Sequence, residues 1–473
     1  MKKRIYLMME IKKRELEARL YFAYVASMKG YSVVIAKKGN IWARRKLLRP
    51  GIVVFKSIGP DNTKLIDDIL EAGHKVVAWD EEAFVTPKRI NFFIQYRLNK
   101  LNFKKLEYFF TWGEVEYEYL VKEYKEFIDK IYKTGNSRID ILKSENSKVF
   151  NSEIDKIKKK HGSFCLFLGN FGRTNNLTFK DKTEGYVKNL VKNGTFKVGD
   201  PAHKFALNNE VISRGVFNQL PNLFKEFSLN FPDKKMIVRP HPSEKLEPYK
   251  EMLRGIKNVV LETDDNNTLS WIKASDFIIS SNCTTSIEAF LLKKASINYW
   301  PFDNQQEQEF YLPEKVSLNA NNYEELNEIM RNLYKNNFES IKNNKDNESV
   351  KKDLIRAFHN YDSKVCSVSE MIKFLDKINV LEREDKKIGF FYFYYYLIRS
   401  FARVIKDNLL YLIKDDNYKN YKKYMKAKMV NFKYNELNSK FKIIVKSNEQ
   451  NHKLFSLKEI IPRIFSIEKK DIN

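Results

Sequence analysis

Residues 236–244 read MIVRPHPSE. Three apolar residues suited to a buried strand, Met236–Val238, run without a break into Arg239-Pro240-His241-Pro242. The prolines fix φ and push their predecessors into extended backbone, so the turn is rigid. In an open α/β sheet, ligands sit outside the carboxyl ends of the strands. An imidazole and a guanidinium placed there can bind a phosphate or stabilise a departing one. Glu244 stands beside them. A structural histidine in a rigid turn is the alternative reading.

Downstream, residues 277–290 read FIISSNCTTSIEAF, an apolar strand ending in Ser280-Ser281-Asn282 and followed by a helix opening on Thr284-Thr285-Ser286. Small hydroxyl side chains at a helix start, with exposed N–H groups and the positive dipole end, make an anion site. Glu288, one turn in, is placed to reach a ribose hydroxyl pair. An ordinary Ser/Thr N-cap is the competing interpretation. Upstream, FCLFLGNFGR (164–173) is a buried strand followed by Gly169, Asn170 and Gly172. Glycine there permits close backbone approach to a ligand. It is not a GxGxxG fingerprint, and no GxxxxGK[ST], GxSxG or HExxH occurs, which removes support for Rossmann dehydrogenases and P-loop NTPases.

The same strand–helix alternation extends both ways. Strands are expected at 164–168, 235–238, 259–261, 277–280 and 296–299, with helices at 209–227, 269–274 and 286–292. Before residue 145, strands are expected at 5–9, 32–36, 52–56, 75–79, 108–112 and 131–134, with helices at 15–29 and 63–72. Apolar strands separated by helices indicate parallel sheets covered on both faces. We therefore expect an N-terminal Rossmann-like, acceptor-side unit (1–145), a polar linker (146–162) and a C-terminal Rossmann-like, nucleotide-donor unit (163–379). The ligand site is expected in the cleft between them. Residues 380–473 are rich in Lys and Tyr, with 21 basic and 11 acidic side chains from Leu381 onward. They read as a basic, aromatic-rich helical tail.

The N-terminal unit supplies acids. VVAWDEEAF (76–84) ends a strand in Asp80-Glu81-Glu82, three carboxylates whose mutual repulsion can raise a pKa as a general base requires. A solvated turn is the other reading. Glu10, Arg14 and Glu15 follow the first strand and are placed to line the cleft on the acceptor side, with surface ion pairing as the alternative.

Composition bounds these readings. The chain has 473 residues, 85 Lys and Arg against 60 Asp and Glu, and a net charge of +25. The charge calls for an anionic partner: nucleic acid, an acidic membrane or a phosphorylated substrate. No clustered basic module of a nucleic-acid-binding type accompanies it, so no nucleic-acid partner is expected. The three cysteines are isolated, which speaks against a thiolate zinc site and suits a reducing compartment. No acidic pair in the second unit has metal-site geometry, and neither a metal nor another cofactor is expected. The N-terminal apolar run is too short for a signal peptide, and no stretch is long enough to span a bilayer. We expect a cytoplasmic protein whose tail can make peripheral contact with an anionic membrane face.

Seven segments together resemble one family: EIKKRELEARL (10–20), VVAWDEEAF (76–84), FTWGEVEYEYL (110–120), KTGNSRIDILK (133–143), FLGNFG (167–172), VRPHPSE (238–244) and SSNCTTSIEAFLLKKASINYWP (280–301). Their order is similar to that in bacterial surface-carbohydrate biosynthesis proteins. These are GT-B proteins related to capsule β-Kdo transferases and, more distantly, to bacterial sialyltransferases and teichoic-acid glycerophosphotransferases. TGNSRID also resembles a turn of UDP-GlcNAc 2-epimerase. The resemblance covers residues 1–376 and implies a GT-B fold: two doubly wound Rossmann-like domains facing a cleft, here with a C-terminal helical appendage. It places His241 and Pro242 at the donor phosphate, Ser281, Thr284 and Thr285 at the phosphate-binding helix start, and Glu288 at the ribose or base. The family's Glu-Asp-Gly-Phe segment supplies a catalytic Asp. Here Glu81-Glu82-Ala83-Phe84 overlays it and puts Glu82 in the base position, with Asp80 and Glu81 still open. The implied activity is inverting transfer of a sugar to a surface polysaccharide or lipid-linked precursor, for capsule or lipopolysaccharide. The first-choice donor is a CMP-linked 2-keto sugar acid, Kdo or a nonulosonate. CDP-polyol phosphotransfer and nucleotide-sugar 2-epimerisation are the alternatives.

Overall fold

The computed structural model describes residues 2–81, 98–143, 145–177, 185–192, 197–264, 266–301, 311–336, 338, 348–385 and 432–471, with isolated positions between 398 and 422. Six parallel strands build the N-terminal sheet: β1 (Arg4–Met9), β2 (Ser32–Lys37), β3 (Ile52–Phe55), β4 (Lys75–Trp79), β5 (Tyr108–Thr111) and β6 (Ile131–Lys133), in the order β2-β1-β3-β4-β5-β6. Alternate side chains feed separate cores. Ile5, Leu7 and Met9 enter one hydrophobic cluster, whereas Tyr6 and Met8 enter another on the opposite face. A sheet covered on both sides needs such runs, which is why these strands are legible as apolar blocks.

The second sheet holds β7 (Cys165–Leu168), β8 (Met236–Arg239), β9 (Val259–Leu261), β10 (Phe277–Ser280), β11 (Ala295–Tyr299) and β12 (Leu318–Ala320), again all parallel. Its order, β9-β8-β7-β10-β11-β12, reverses direction between β7 and β10, and a crevice opens at such a reversal. Leu166, Leu168, Ile237 and Ile278 share the cluster that holds Ile5 and Leu7, so one apolar core joins the two sheets. Two doubly wound units facing a cleft make the GT-B arrangement.

The C-terminal helix expected in the tail is present as Tyr434–Ser447, and Leu437, Phe441, Ile444 and Val445 bury it in the same core as the first helix (Lys12–Met28). Beyond that helix the chain departs from the expected helical tail. β13 (Phe455–Ile461) and β14 (Ile464–Lys469) form an antiparallel hairpin, and β14 pairs antiparallel with β2, placing Ile467 beside Val33. The N-terminal sheet thereby reaches eight strands. The exposed Lys458 and Glu459 on β13 are charges of the kind that protect a sheet edge, and in the sequence they disguise the strand. The short polar β12 (LNA) escapes a sequence reading for lack of an apolar run.

Candidate functional site

A cavity of about 1130 Å3 lies between the two units. The loops after β7, β8, β9 and β10 form one wall, and Arg14, Glu17, Arg138 and Ile141 belong to the facing wall. The expected donor-side residues Gly169, Asn170, Arg239, His241, Pro242, Glu244, Ser281, Asn282, Thr284, Thr285 and Glu288 all line it. Arg14, expected on the acceptor side, lines it from the first unit.

Glu244 is buried beneath the loops rather than turned to a ligand. Its carboxylate accepts the backbone N–H of Phe171 (3.1 Å) and of His241 (2.9 Å), and the hydroxyl of Tyr249 (2.6 Å). One side chain thus ties the loop after β7 to the loop after β8. Burial drives its pKa up to about 7 against the lowering effect of those donors. Gly169 packs on this knot. A Cβ there would lie 2.8 Å from the Tyr249 hydroxyl, 3.0 Å from Pro240 Cα and 3.1 Å from Glu244 Oε1. Gly169→Ala should therefore destabilise the protein by about 1–3 kcal/mol, read as a lowered thermal midpoint; an unchanged midpoint would refute this packing.

His241 is oriented from within its own loop. Its Nδ1 accepts the Ser243 backbone N–H (3.2 Å) and lies 2.7 Å from the Ser243 hydroxyl. Because Nδ1 accepts, the neutral ring carries its proton on Nε2, which makes that atom a donor. Arg239 is already engaged. Its guanidinium meets Asp264 at 2.6 Å and stacks 4.6 Å over Trp271, so it braces the loop after β9. Burial would raise the Asp264 pKa, but Arg239 outweighs it and holds the carboxyl below its usual range.

After β10 the backbone turns through Asn282 at φ 44°, a left-handed conformation that asparagine tolerates. Asn282 N–H donates to Asn298 Oδ1 (2.7 Å), and Asn298 is held by Asn319 (2.9 Å). The turn is thus fixed by β11 and β12. The helix Thr284–Leu291 begins at Cys283 with no side-chain cap. Its first turn thus lacks the Ser/Thr cap that the sequence allowed, Thr284 and Thr285 line the cavity, and the Ser286 N–H donates to the Cys283 carbonyl at 3.1 Å. Ser281 Oγ and Thr285 Oγ1 are buried with no hydrogen-bond partner among the described residues. Ser286 differs from expectation: it is buried off the cavity, its hydroxyl 2.9 Å from that of Ser280.

Across the cleft, Arg138 donates to Glu288 Oε1 at 2.9 Å, a buried ion pair between the units. Glu288 is thus shared with a residue of the facing wall. The sequence does not single out Arg138, although its TGNSRID segment stands out. Gly135 there has φ +78° and lies against Ser367, and Asp140 accepts the Ser367 N–H and hydroxyl, both at 3.1 Å, which caps the helix Ser367–Leu375. The segment is an anchor that carries one arginine to the cavity wall. Ser243, Glu17 and Asn267 also escape a sequence reading, since each works through contacts distant in sequence or hidden in a loop.

The acids require correction. Glu81 does not line the cavity. It is buried between Arg19 (2.8 Å) and Arg138 (3.7 Å) and accepts the Trp79 indole N–H (2.8 Å). Burial would raise its pKa, but Arg19, Arg138 and Lys56 together hold it well below the usual range, the opposite of a base poised near neutrality. Asp80 is buried and also off the cavity lining. Glu82 lies outside the described residues. Glu10 pairs with Lys38 and Lys56, both at 3.1 Å, and Glu15 pairs with Lys56 at 2.9 Å. Glu15 also accepts the N–H groups of Glu10 and Ile11 at the first helix's start. Both belong to a structural ion-pair cluster beside the cleft.

A family model described as a protein of unknown function (DUF354) matches residues 229–361, which span the His241 loop and the Thr284 helix. No curated protein matches the chain. Among solved structures, it is similar to a variant of the wall teichoic acid polymerase TagF, at 12% identity over 80% of this chain and 88% of that one, with a TM-score of 0.46. It is also similar to UDP-GlcNAc 2-epimerase from Neisseria meningitidis bound to UDP-GlcNAc (13% identity, 80% and 100% covered, TM-score 0.46). A glycosyltransferase from Rickettsia africae ESF-5 gives 12% identity, 80% and 98% coverage and a TM-score of 0.44. No helix among the described residues is long and apolar enough to cross a membrane.

Proposed function

We propose that this chain is an inverting glycosyltransferase of GT-B type that takes a sugar from a nucleotide donor in the cavity between its two units. The observation that carries the reading is the start of the helix Thr284–Leu291, without a side-chain cap, and the Ser281 and Thr285 hydroxyls, without a partner among the described residues, on the same cavity as His241. Helix N–H groups, two hydroxyls and an imidazole Nε2–H donor together suit a phosphate that gains charge as it leaves. In the proposed step an acceptor hydroxyl attacks the anomeric carbon opposite the leaving phosphate. The new C–O bond forms as the sugar–phosphate bond breaks, and the acceptor proton passes to a carboxylate of the Asp80-Glu81-Glu82 turn. The pairing of Glu81 leaves that role to Glu82 or Asp80. The donor of first choice remains a CMP-linked 2-keto sugar acid, and the acceptor a surface glycan or its lipid-linked precursor.

A thermal-shift series with CMP, CDP, UDP and GDP tests the reading. A nucleotide at a hundredfold excess over its Kd adds about 2.7 kcal/mol of stability. We expect CMP to stabilise the protein, and His241→Ala and Thr285→Val each to weaken it by about tenfold or more, the worth of a hydrogen bond to a charged group. Stabilisation by UDP alone would overturn the CMP choice. Unchanged affinity in both variants would overturn the phosphate site. A phosphodiester product would indicate polyol-phosphate transfer, and turnover of the donor without acceptor would indicate epimerisation.

A further inference from the structure

The first helix, the linker helix (Asn151–His161) and the loop after β9 meet at a single lysine of the C-terminal helix. Lys440 Nζ lies 2.5 Å from Glu17 Oε1 and 2.7 Å from Glu153 Oε1. Each carboxylate continues to the same place in the second unit. Glu17 Oε2 accepts Asn267 Nδ2 (2.6 Å), and Glu153 Oε2 accepts the Asn267 backbone N–H (3.0 Å) and the Ser270 hydroxyl (2.6 Å). Asn267 in turn caps the helix Thr268–Ala274 by accepting the Leu269 N–H at 2.8 Å. Glu17 and Asn267 both line the cavity, from opposite units. Without Lys440, the Glu17 and Glu153 carboxylates would face the same asparagine from two helices with like charges. The neighbouring contacts pull the same way: Lys12 pairs with Glu436 at 2.8 Å, and Lys13 donates to the Asp264 carbonyl at 2.8 Å.

We propose that the C-terminal helix is part of the framework of the cleft, and that Lys440 is a positioning residue for the cavity wall at residues 264–270. Its ammonium neutralises the paired carboxylates, which lets both hold Asn267 at once. The two units then keep one separation at the point where a ligand must touch both. The helix thereby does a task for the site, although it lies outside the stretch that resembles the family and supplies no residue expected to touch a donor.

The experiment uses the full chain and three variants: Lys440→Met, which keeps the stem and removes the charge; Lys440→Arg, which keeps the charge; and Glu436→Gln, which loosens the same helix elsewhere. Hydrogen exchange reads the amides of residues 266–272, and titration with CMP reads the cavity. We expect Lys440→Met to speed exchange in 266–272 by about tenfold and to weaken CMP binding by a similar factor, the worth of one charged hydrogen bond. Lys440→Arg and Glu436→Gln should stay within about threefold of the parent in both. Parent-like exchange at 266–272 in Lys440→Met overturns the proposal, as does equal loosening by Glu436→Gln. If Lys440→Met fails to fold, Glu153→Gln takes its place, because it leaves Lys440 paired with Glu17 while weakening the hold on Asn267 and Ser270. The CMP arm rests on the nucleotide reading; if the parent binds no nucleotide, that reading falls and the exchange comparison still decides this one.

Discussion

Arg19→Met should lower the stability of the protein by about 3 kcal/mol, the lower end of the range for stranding one member of a buried ion pair. Arg19 and Glu81 are both almost wholly inaccessible and lie 2.8 Å apart, with the guanidinium stacked 4.6 Å over Trp79. Methionine replaces much of the stem and none of the charge. Glu81 then keeps the Trp79 N–H and a more distant Arg138, which is too little for an ionised carboxylate in that setting. Denaturant unfolding of the single variant, of Glu81→Gln and of the double variant measures the coupling. The double variant should be more stable than Arg19→Met alone, because it removes the stranded charge. A loss below about 1 kcal/mol in Arg19→Met would show that Arg138 and Lys56 suffice to hold the Glu81 charge and that Arg19 is not its main partner.

The second large effect is in pH. The Glu244 carboxyl, pushed up to about 7 by burial, binds a proton in the folded protein that the unfolded chain releases near 4.5. Between those values the native state holds more protons than the unfolded one, so stability falls as pH rises from about 4.5 to 7 and levels off above. The shift corresponds to a few kcal/mol, on the order of 3, from this one group. Glutamine can keep the acceptor for Phe171 and His241 and offer its amide to the Tyr249 oxygen, without the charge. Glu244→Gln should therefore lose most of the fall in thermal midpoint between pH 5 and pH 8. An equal slope in parent and variant would show that Glu244 does not titrate in that window. Glu81 works in the opposite direction. Its depressed pKa gives stability that is present above about 4.5 and disappears as pH drops through the folded value, so the two signatures separate on the pH axis.

The parts of the molecule that are legible in the sequence are those with local causes. β4, β9 and β10 begin and end where apolar runs meet turn residues, because a buried parallel strand is written in consecutive side chains. The cavity wall of the second unit is legible for the same reason, since three strand ends carry His241, Gly169 and Ser281 in short segments of unusual composition. The acids are not. Asp80-Glu81-Glu82 reads as three carboxylates at a sheet end, yet the fate of Glu81 is set by Arg19 on a helix and Arg138 beyond two further strands. Charge pairing between remote residues leaves no local trace. Glu244 shows the same limit: its place in the HPSE turn points to a ligand, whereas Phe171 and Tyr249, which it actually holds, come from other elements. β14 is hidden because a strand that borrows its partner from the opposite end of the chain needs only a few alternating apolar residues.

That last pairing governs the order of events during synthesis. Ser27 donates to the Ile467 carbonyl across 440 positions of sequence, next to the register of β14 on β2. At about 5–20 residues per second, a ribosome that has just released β2 needs roughly 20–90 s to deliver β14. Throughout that interval one edge of the growing N-terminal sheet stands open, with Val33, Val34 and Ile35 ready to accept any extended strand. Pairing of β14 with β2 closes that edge once residues 464–469 are made.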